Sequence, residues 1–338
     1  MHDPFQPGRR RLLAGTAAGA ATALLQALVP SRARAAAPVF PSRPVRLIVP
    51  YSAGSGTDIV ARVYARTAGA IAGQPFIIEN RAGAKGVIGA RAVLSAPADG
   101  YTVLFGSGTV LATNAALVKG LPYDPLRDFA PLTILDSGYC MVVVPAASPF
   151  RTFAELAAEA RRRPGALNHG AGTTTYAMWN AWLDSLVGMK TINVMYKGSG
   201  DSLNAAVSGQ VDYAILNASV ADPMIRAGKL RALLYTDSHR SSMWPAVPAA
   251  PEAGGKELAG FRAFAWSAVA VRAGTPDDIA RTLADMFMRA ARHRDVHEVL
   301  ARMGFEPMVT GPEGMRRFQQ DEIARAKRLA AESRIVME

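Results

Sequence analysis

From residue 44 onward, short runs rich in β-branched and aromatic residues alternate with stretches whose apolar positions recur every three or four residues. VRLIVP (45–50) reads as a strand, and TDIVARVYARTAGAIAG (57–73) as a helix with Ile59, Val60, Val63 and Tyr64 on one face. Thr57 or Asp58 is the expected N-cap of that helix and Gly73 its stop. FIIEN (76–80) is the next strand, and IGARAVLSA, DGYTVLFGSG (99–108) and a helix from about Val110 to Lys119 repeat the cycle. Such alternation is the signature of an α/β lobe, a parallel sheet covered by helices.

A second series begins near YCMVVVP (139–145). The helix TFAELAAEARRRPG, the strand ALNHG, the helix YAMWNAWLDSLVG and the strand TINVMY follow, then SLNAAVSG, VDYAIL, ADPMIRAG and LRALLYT, helix and strand in turn. The Pro/Gly/Ala-rich segment 243–257 reads as a long surface connection. After it, FAWSAVAV (264–271) is a buried strand, and helices are expected over 275–293, 295–304 and 311–333. These last helices have no strand series of their own and are expected to pack on the first lobe. The chain therefore crosses twice between two lobes, residues 38–138 with 265–338 and residues 139–264, as in a clamshell with its ligand site in the cleft.

Five loops share one character. YSAGSGTD (51–58), GSGT (106–109), GAGTTT (170–175), YKGSGD (196–201) and NAS (217–219) all follow a predicted strand, precede a helix, and combine small residues with hydroxyls. Turn formation alone explains any single one. Five in the same position, facing one cleft, suit an anion: helix starts present unpaired N–H groups and a partial positive charge, and hydroxyls add donors. Ser52, Ser55, Thr57, Ser107, Thr109, Thr173, Thr174 and Thr175 are those donors.

Catalytic patterns are absent from the sequence. There is no G-x-S-x-G elbow, no Walker loop and no complete G-x-G-x-x-G. His293 and His297 stand four apart but outside an H-E-x-x-H, and a charged helix face explains them without a metal. His169 adjoins the Gly/Thr loop without a paired nucleophile. Cys140, the single cysteine, sits in the apolar run CMVVVP and reads as a core thiol. Asp58 and His169 are all that a hydrolase or lyase using the same cleft would have near these loops. Neither an enzyme, a cofactor nor a metal is expected.

Composition adds a location. GRRRLLAG opens a charged segment, residues 12–29 are small and apolar, and SRARAAAP offers small-x-small cleavage sites, so residues 1–35 read as an export signal. Arg9-Arg10 with Leu12 and Leu13 resembles a twin-arginine signal, with a general secretory signal and an uncleaved anchor as the alternatives. Five of the 38 basic and one of the 27 acidic residues lie in that segment, which leaves 33 and 26 and lowers the net charge from +11 to +7. The remaining positive charge is scattered. It excludes a nucleic-acid surface and favours collection of small anions.

RPVRLIVPYSAGSGTDIVAR, QPFIIENRAGAKGVIGA, ADGYTVLFGSGT, LPYDPLRDFAPLT, VMYKGSGDSLNAAVSGQVDYAI, AGKLRAL and AGTPDDIARTL together resemble the Bug-type, TctC-like receptors of tripartite tricarboxylate transporters, over nearly the whole chain from about Pro41. The resemblance implies a type II, Venus-flytrap periplasmic binding protein that holds a small carboxylate through backbone amides, hydroxyls and water. It also implies delivery to membrane permease subunits; a sensory receptor signalling to a histidine kinase is the alternative. A monomer is expected. Carried over residue by residue, one pocket wall is Tyr51, Ser52, Ala53, Gly54, Ser55, Gly56, Thr57 and Asp58 with Ser107, Gly108 and Thr109. The facing lobe supplies Thr173, Thr174, Thr175, Tyr196, Lys197, Gly198 and Asn217. Two departures bear on the ligand. The 169–177 loop is two residues shorter than the family's and ends on Ala177 where the family has His, and Leu216-Asn217 replaces a frequent Asp-Asn. Without that acidic acceptor, a plain or aromatic carboxylate is favoured over an amino acid.

Overall fold

The computed structural model describes residues 40–333 and His2, so the expected export signal over 1–35 lies, His2 apart, outside the described residues. The first half runs β1 (Val45–Val49), α1 (Gly56–Ala72), β2 (Phe76–Asn80), α2 (Val87–Leu94), β3 (Thr102–Ser107), α3 (Asn114–Leu117) and β4 (Phe129–Pro145). Next come α4 (Phe153–Arg162), β5 (Asn168–Ala171), α5 (Thr174–Val187), β6 (Ile192–Met195), α6 (Ser199–Val207), β7 (Tyr213–Asn217), α7 (Ala218–Arg226), β8 (Leu230–Tyr235) and α8 (Ala250–Gly254). The chain ends with β9 (Phe264–Arg272), α9 (Asp277–Ala291), α10 (Arg294–Arg302), β10 (Glu306–Pro307) and α11 (Gly311–Ser333).

Local chemistry accounts for most of these elements. In β1, Val45, Leu47, Ile48 and Val49 are fully buried, because helices cover both faces of a parallel strand. Each such side chain stabilises the fold by about 1.5–3 kcal/mol relative to exposure. Gly73 closes α1 in the left-handed conformation, as expected, but Ser55 is the N-cap, its hydroxyl accepting from the Asp58 N–H. The start of α4 is fixed reciprocally: Thr152 accepts from the Glu155 N–H at 3.2 Å and Glu155 from the Thr152 N–H at 3.3 Å.

The strands follow the order β2-β1-β3-β9-β4-β7-β5-β6, with β8 and β10 also paired to β4. Parallel pairing holds for β2-β1-β3 and for β7-β5-β6. The exceptions are the two crossing strands: β9 is antiparallel to β3 and β4, and β4 to β7 and β8. A second difference is the early start of β4 at Phe129, in a segment whose proline, aspartate and serine hide its strand character. Register shifts at Pro131/Thr133 and Ile134/Asp136 let it tolerate them. The stretch 243–257 is also less open than expected, since Ala249 and Ala250 are buried and α8 forms within it.

Apolar burial is gathered in separate clusters. One draws on β1, β3, β9, α1 and α9, with Tyr64, Phe105, Val269 and Phe287 among its members. A second holds Phe153, Trp179, Tyr213 and Phe261, and a third Met141, Leu216 and Trp244. The helix α11 joins the first through Met315 and Ile323 and the second through Ala326 and Leu329. Its 23 residues, about 34 Å at 1.5 Å per residue, are long enough to serve both, whereas packing on the first lobe alone was expected.

Candidate functional site

Where the clusters meet, a cleft with a volume of about 70 Å3 is lined from both sides. On one side, the β1–α1 loop brings Tyr51, Ser55, Gly56 and Thr57 to it. Gly54 takes a φ of 80°, which glycine adopts at no steric cost, and its N–H donates to Asp58. Asp58 is buried behind the loop and also accepts from Arg62 at 2.9 and 3.0 Å and from Asn80 at 2.9 Å. Burial alone would raise its pKa, but these bonds outweigh it and hold the carboxylate below its usual range. Asp58 thus braces the loop that presents the first N–H groups of α1.

The next turn follows β3. Ser107, Gly108 and Thr109 line the cleft, and residues 109–113 form one wide π-type turn that sets Thr109 and Thr113 on the same face. The Tyr51 hydroxyl is hydrogen-bonded to Ser107, and burial raises its pKa, so it stays a neutral phenol. Gly108 makes room for the Trp266 ring: a Cβ would stand 2.7 Å from its indole nitrogen.

The facing wall starts at α5. Thr173 is its N-cap residue, yet its hydroxyl makes no capping bond, and the Oγ1 atoms of Thr173 and Thr174 are buried without a hydrogen-bond partner among the described residues. Thr175 reaches across, hydrogen-bonded to Thr109 at 2.8 Å and donating to Thr113 at 2.9 Å. Gly172 lets this loop lie against the next, since a Cβ would meet the Ser199 backbone at 2.7 Å. Asn217 caps α7, accepting from the Ser219 N–H at 3.1 Å, and also borders the cleft.

Of the sequence-predicted residues, Tyr51, Ser55, Gly56, Thr57, Ser107, Gly108, Thr109, Thr173, Thr175 and Asn217 therefore share one cleft. Tyr196 and Lys197 border an adjoining recess with Lys85, which has Tyr51 and Thr173 in common with the cleft. Ser52, Ala53 and Gly54 are exposed, Asp58, Thr174 and Gly198 are buried, and none of the six lines the cleft. His169 is a fully buried brace: its Nε2 accepts from the Ile215 N–H at 3.0 Å and its Nδ1 faces Asn193 at 2.8 Å. Burial lowers its pKa to about 4, so it is neutral. Cys140 is buried, and burial pushes its thiol well up. His293 caps α10, accepting from the Asp295 N–H.

Several lining residues carried no local signal. Trp179 and Met178 sit in an apolar helix pattern that reads as core, and Trp266 in a strand that reads the same way. Glu322 and Arg325 belong to α11, more than a hundred residues from the loops they face. Ser199 is different: it lies in the YKGSGD loop and could have been named.

This is the fold of the periplasmic binding proteins, α/β and two-lobed, with a polar crevice between opposed helix starts. The model for the tripartite tricarboxylate transporter family receptor matches residues 60–335, and the chain belongs to that family. It is 34% identical over 331 residues to the "UPF0065 protein in tcbD-tcbE intergenic region" of Pseudomonas sp. strain P51, covering 97% of this chain and 95% of that one. Protein BugT of Bordetella pertussis is 36% identical over 303 residues, covering 86% and 90%. Among solved structures, R. palustris Rpa4515 with adipate superposes at a TM-score of 0.83 with 31% identity, covering 88% of this chain and 99% of that one. MatC from Rhodopseudomonas palustris with bound malate gives 0.80 and 31%, covering 86% and 99%. These are solute-binding receptors, and the chain is a receptor of that kind and not an enzyme. No helix among the described residues is long and apolar enough to cross a membrane.

Proposed function

We propose that this protein is exported to the periplasm, where, as a monomer, it closes residues 38–138 with 265–338 and residues 139–264 around a small mono- or dicarboxylate. It then delivers that ligand to the membrane subunits of a tripartite tricarboxylate-type transporter. The reading is carried by the polar end of the cleft. There the starts of α1 and α5 converge with the hydroxyls of Ser55, Thr57, Ser107, Thr173 and Thr175, while no lysine or arginine stands among them. A helix start stabilises an anion by about 0.3–1 kcal/mol, up to about 2 when partly buried, and a hydrogen bond to a charged group contributes roughly 1.5–3. Two helix starts and a few hydroxyls are enough to hold a carboxylate without a counter-ion. The unpartnered hydroxyl of Thr173, which borders the cleft, supports the same end as the ligand's. Adipate on Rpa4515 and malate on MatC support the ligand class. A ligand that touches both walls stabilises the closed arrangement, which is what a membrane partner would recognise.

The test is a thermal-shift and calorimetric screen of the mature chain against a carboxylate panel. A ligand at a hundred times its Kd should add about 2.7 kcal/mol of stability. A panel without any stabilising carboxylate, or conversion of one into a product, would refute the receptor.

A further inference from the structure

We infer that the carboxylate selected by this cleft carries one charge and a flat apolar body, an aryl or arylalkyl monocarboxylate, in preference to a short aliphatic dicarboxylate. The inference rests on the receptor reading above and narrows its ligand. Besides its hydroxyls, the cleft is walled by two indoles, Trp179 on α5 and Trp266 on β9, and Phe264 and Phe305 line it as well. Both indoles are fixed before any ligand arrives. Trp179 meets Tyr176 edge-on at 5.1 Å, and Trp266 meets Phe318 edge-on at 5.2 Å while resting on the bare backbone of Gly108. Rings held in this way accept another ring in stacked or edge-on geometry.

Charge argues in the same direction. Among the described lining residues only Glu322 and Arg325 are charged, and they pair with each other at 3.3 Å. Arg325 also donates to the Arg262 carbonyl at 2.6 Å, and its guanidinium lies 5.2 Å from the Trp182 ring centre. A second carboxylate beside this pair would meet the charge of Glu322 and a guanidinium already committed, whereas an uncharged ring would lose nothing.

The experiment titrates the mature chain with benzoate, phenylacetate and 3-phenylpropionate against succinate, malate and adipate, by calorimetry and by indole emission. At least one aryl monocarboxylate should bind ten-fold or more tighter than every dicarboxylate and shift the emission. Trp179→Leu should then lower the aryl-to-aliphatic affinity ratio at least five-fold; should that variant not fold, the wild-type ratio decides. Dicarboxylates that bind as well as the aryl acids would overturn the inference and leave the receptor standing. So would a dicarboxylate whose advantage disappears in Lys197→Ala, which would place its second charge in the side recess. Failure of every carboxylate would overturn both.

Discussion

Asp136 offers a direct test of how the crossing strands are built. It lies on β4 at a register shift, opposite Ser267 of β9, and Ser267 lines the cleft. The side chain is fully buried, and neither carboxylate oxygen meets a hydrogen-bond partner among the described residues. Burial raises its pKa from 3.8 to about 7, and the neighbouring Ser267 hydroxyl offsets only part of that. A carboxyl group with a raised folded-state pKa holds its proton in the native chain and loses it in the unfolded chain between pH 4 and pH 7. Stability therefore falls as pH rises through that window and is flat above it. At 1.36 kcal/mol per unit, the whole effect is about 4 kcal/mol, of which roughly 3 lies between pH 5 and pH 8. Asp136→Asn keeps the shape and removes the titration. Its melting temperature should change little at pH 5 and exceed the wild type by about 5 °C at pH 8, taking the entropy of unfolding of a domain this size. Calorimetric scans of both proteins at the two pH values give the answer. An equal difference at both would mean that Asp136 does not titrate, and a loss at pH 8 would mean that its charge is satisfied by water or a cation.

Two further substitutions probe the cleft. Thr175→Val removes the bonds to Thr109 and Thr113. At about 0.5–1.5 kcal/mol each, it should weaken the best carboxylate roughly 5- to 100-fold by calorimetry, non-additively with Thr109→Val, and an unchanged Kd would remove the hydroxyl chain from the bound state. Gly108→Ala sets a methyl 2.7 Å from the Trp266 ring and should displace it, costing about 1–3 kcal/mol and shifting indole emission. A variant with unaltered emission and stability would show that the indole does not lie where the structure places it.

The parts of the fold that were legible in sequence are those set by neighbours along the chain. The strands of the first lobe, the stop of α1 at Gly73 and the full extent of α11 follow from apolar period and helix-ending residues, which act over a turn or two. The early start of β4 was hidden because Pro131 and Asp136 are poor strand residues, and only pairing with β9 accommodates them. The antiparallel run of β9 was hidden for a related reason: strand direction is a property of the sheet and not of the strand.

The site divides along the same line. The sequence by itself determined the polar end, since a glycine- and hydroxyl-bearing loop between a strand and a helix carries its donors wherever it is placed. That ten such residues border one cleft, while Asp58 turns away to brace its loop, was decided by tertiary structure. So was the apolar end. Trp179, Trp266 and Arg325 come from α5, β9 and α11, and the same apolar and basic patterns would serve equally well in a core or on a surface. Hydrogen-bonding capacity is local to a residue, but which side chains share a cavity depends on how distant segments pack, and no local pattern records that.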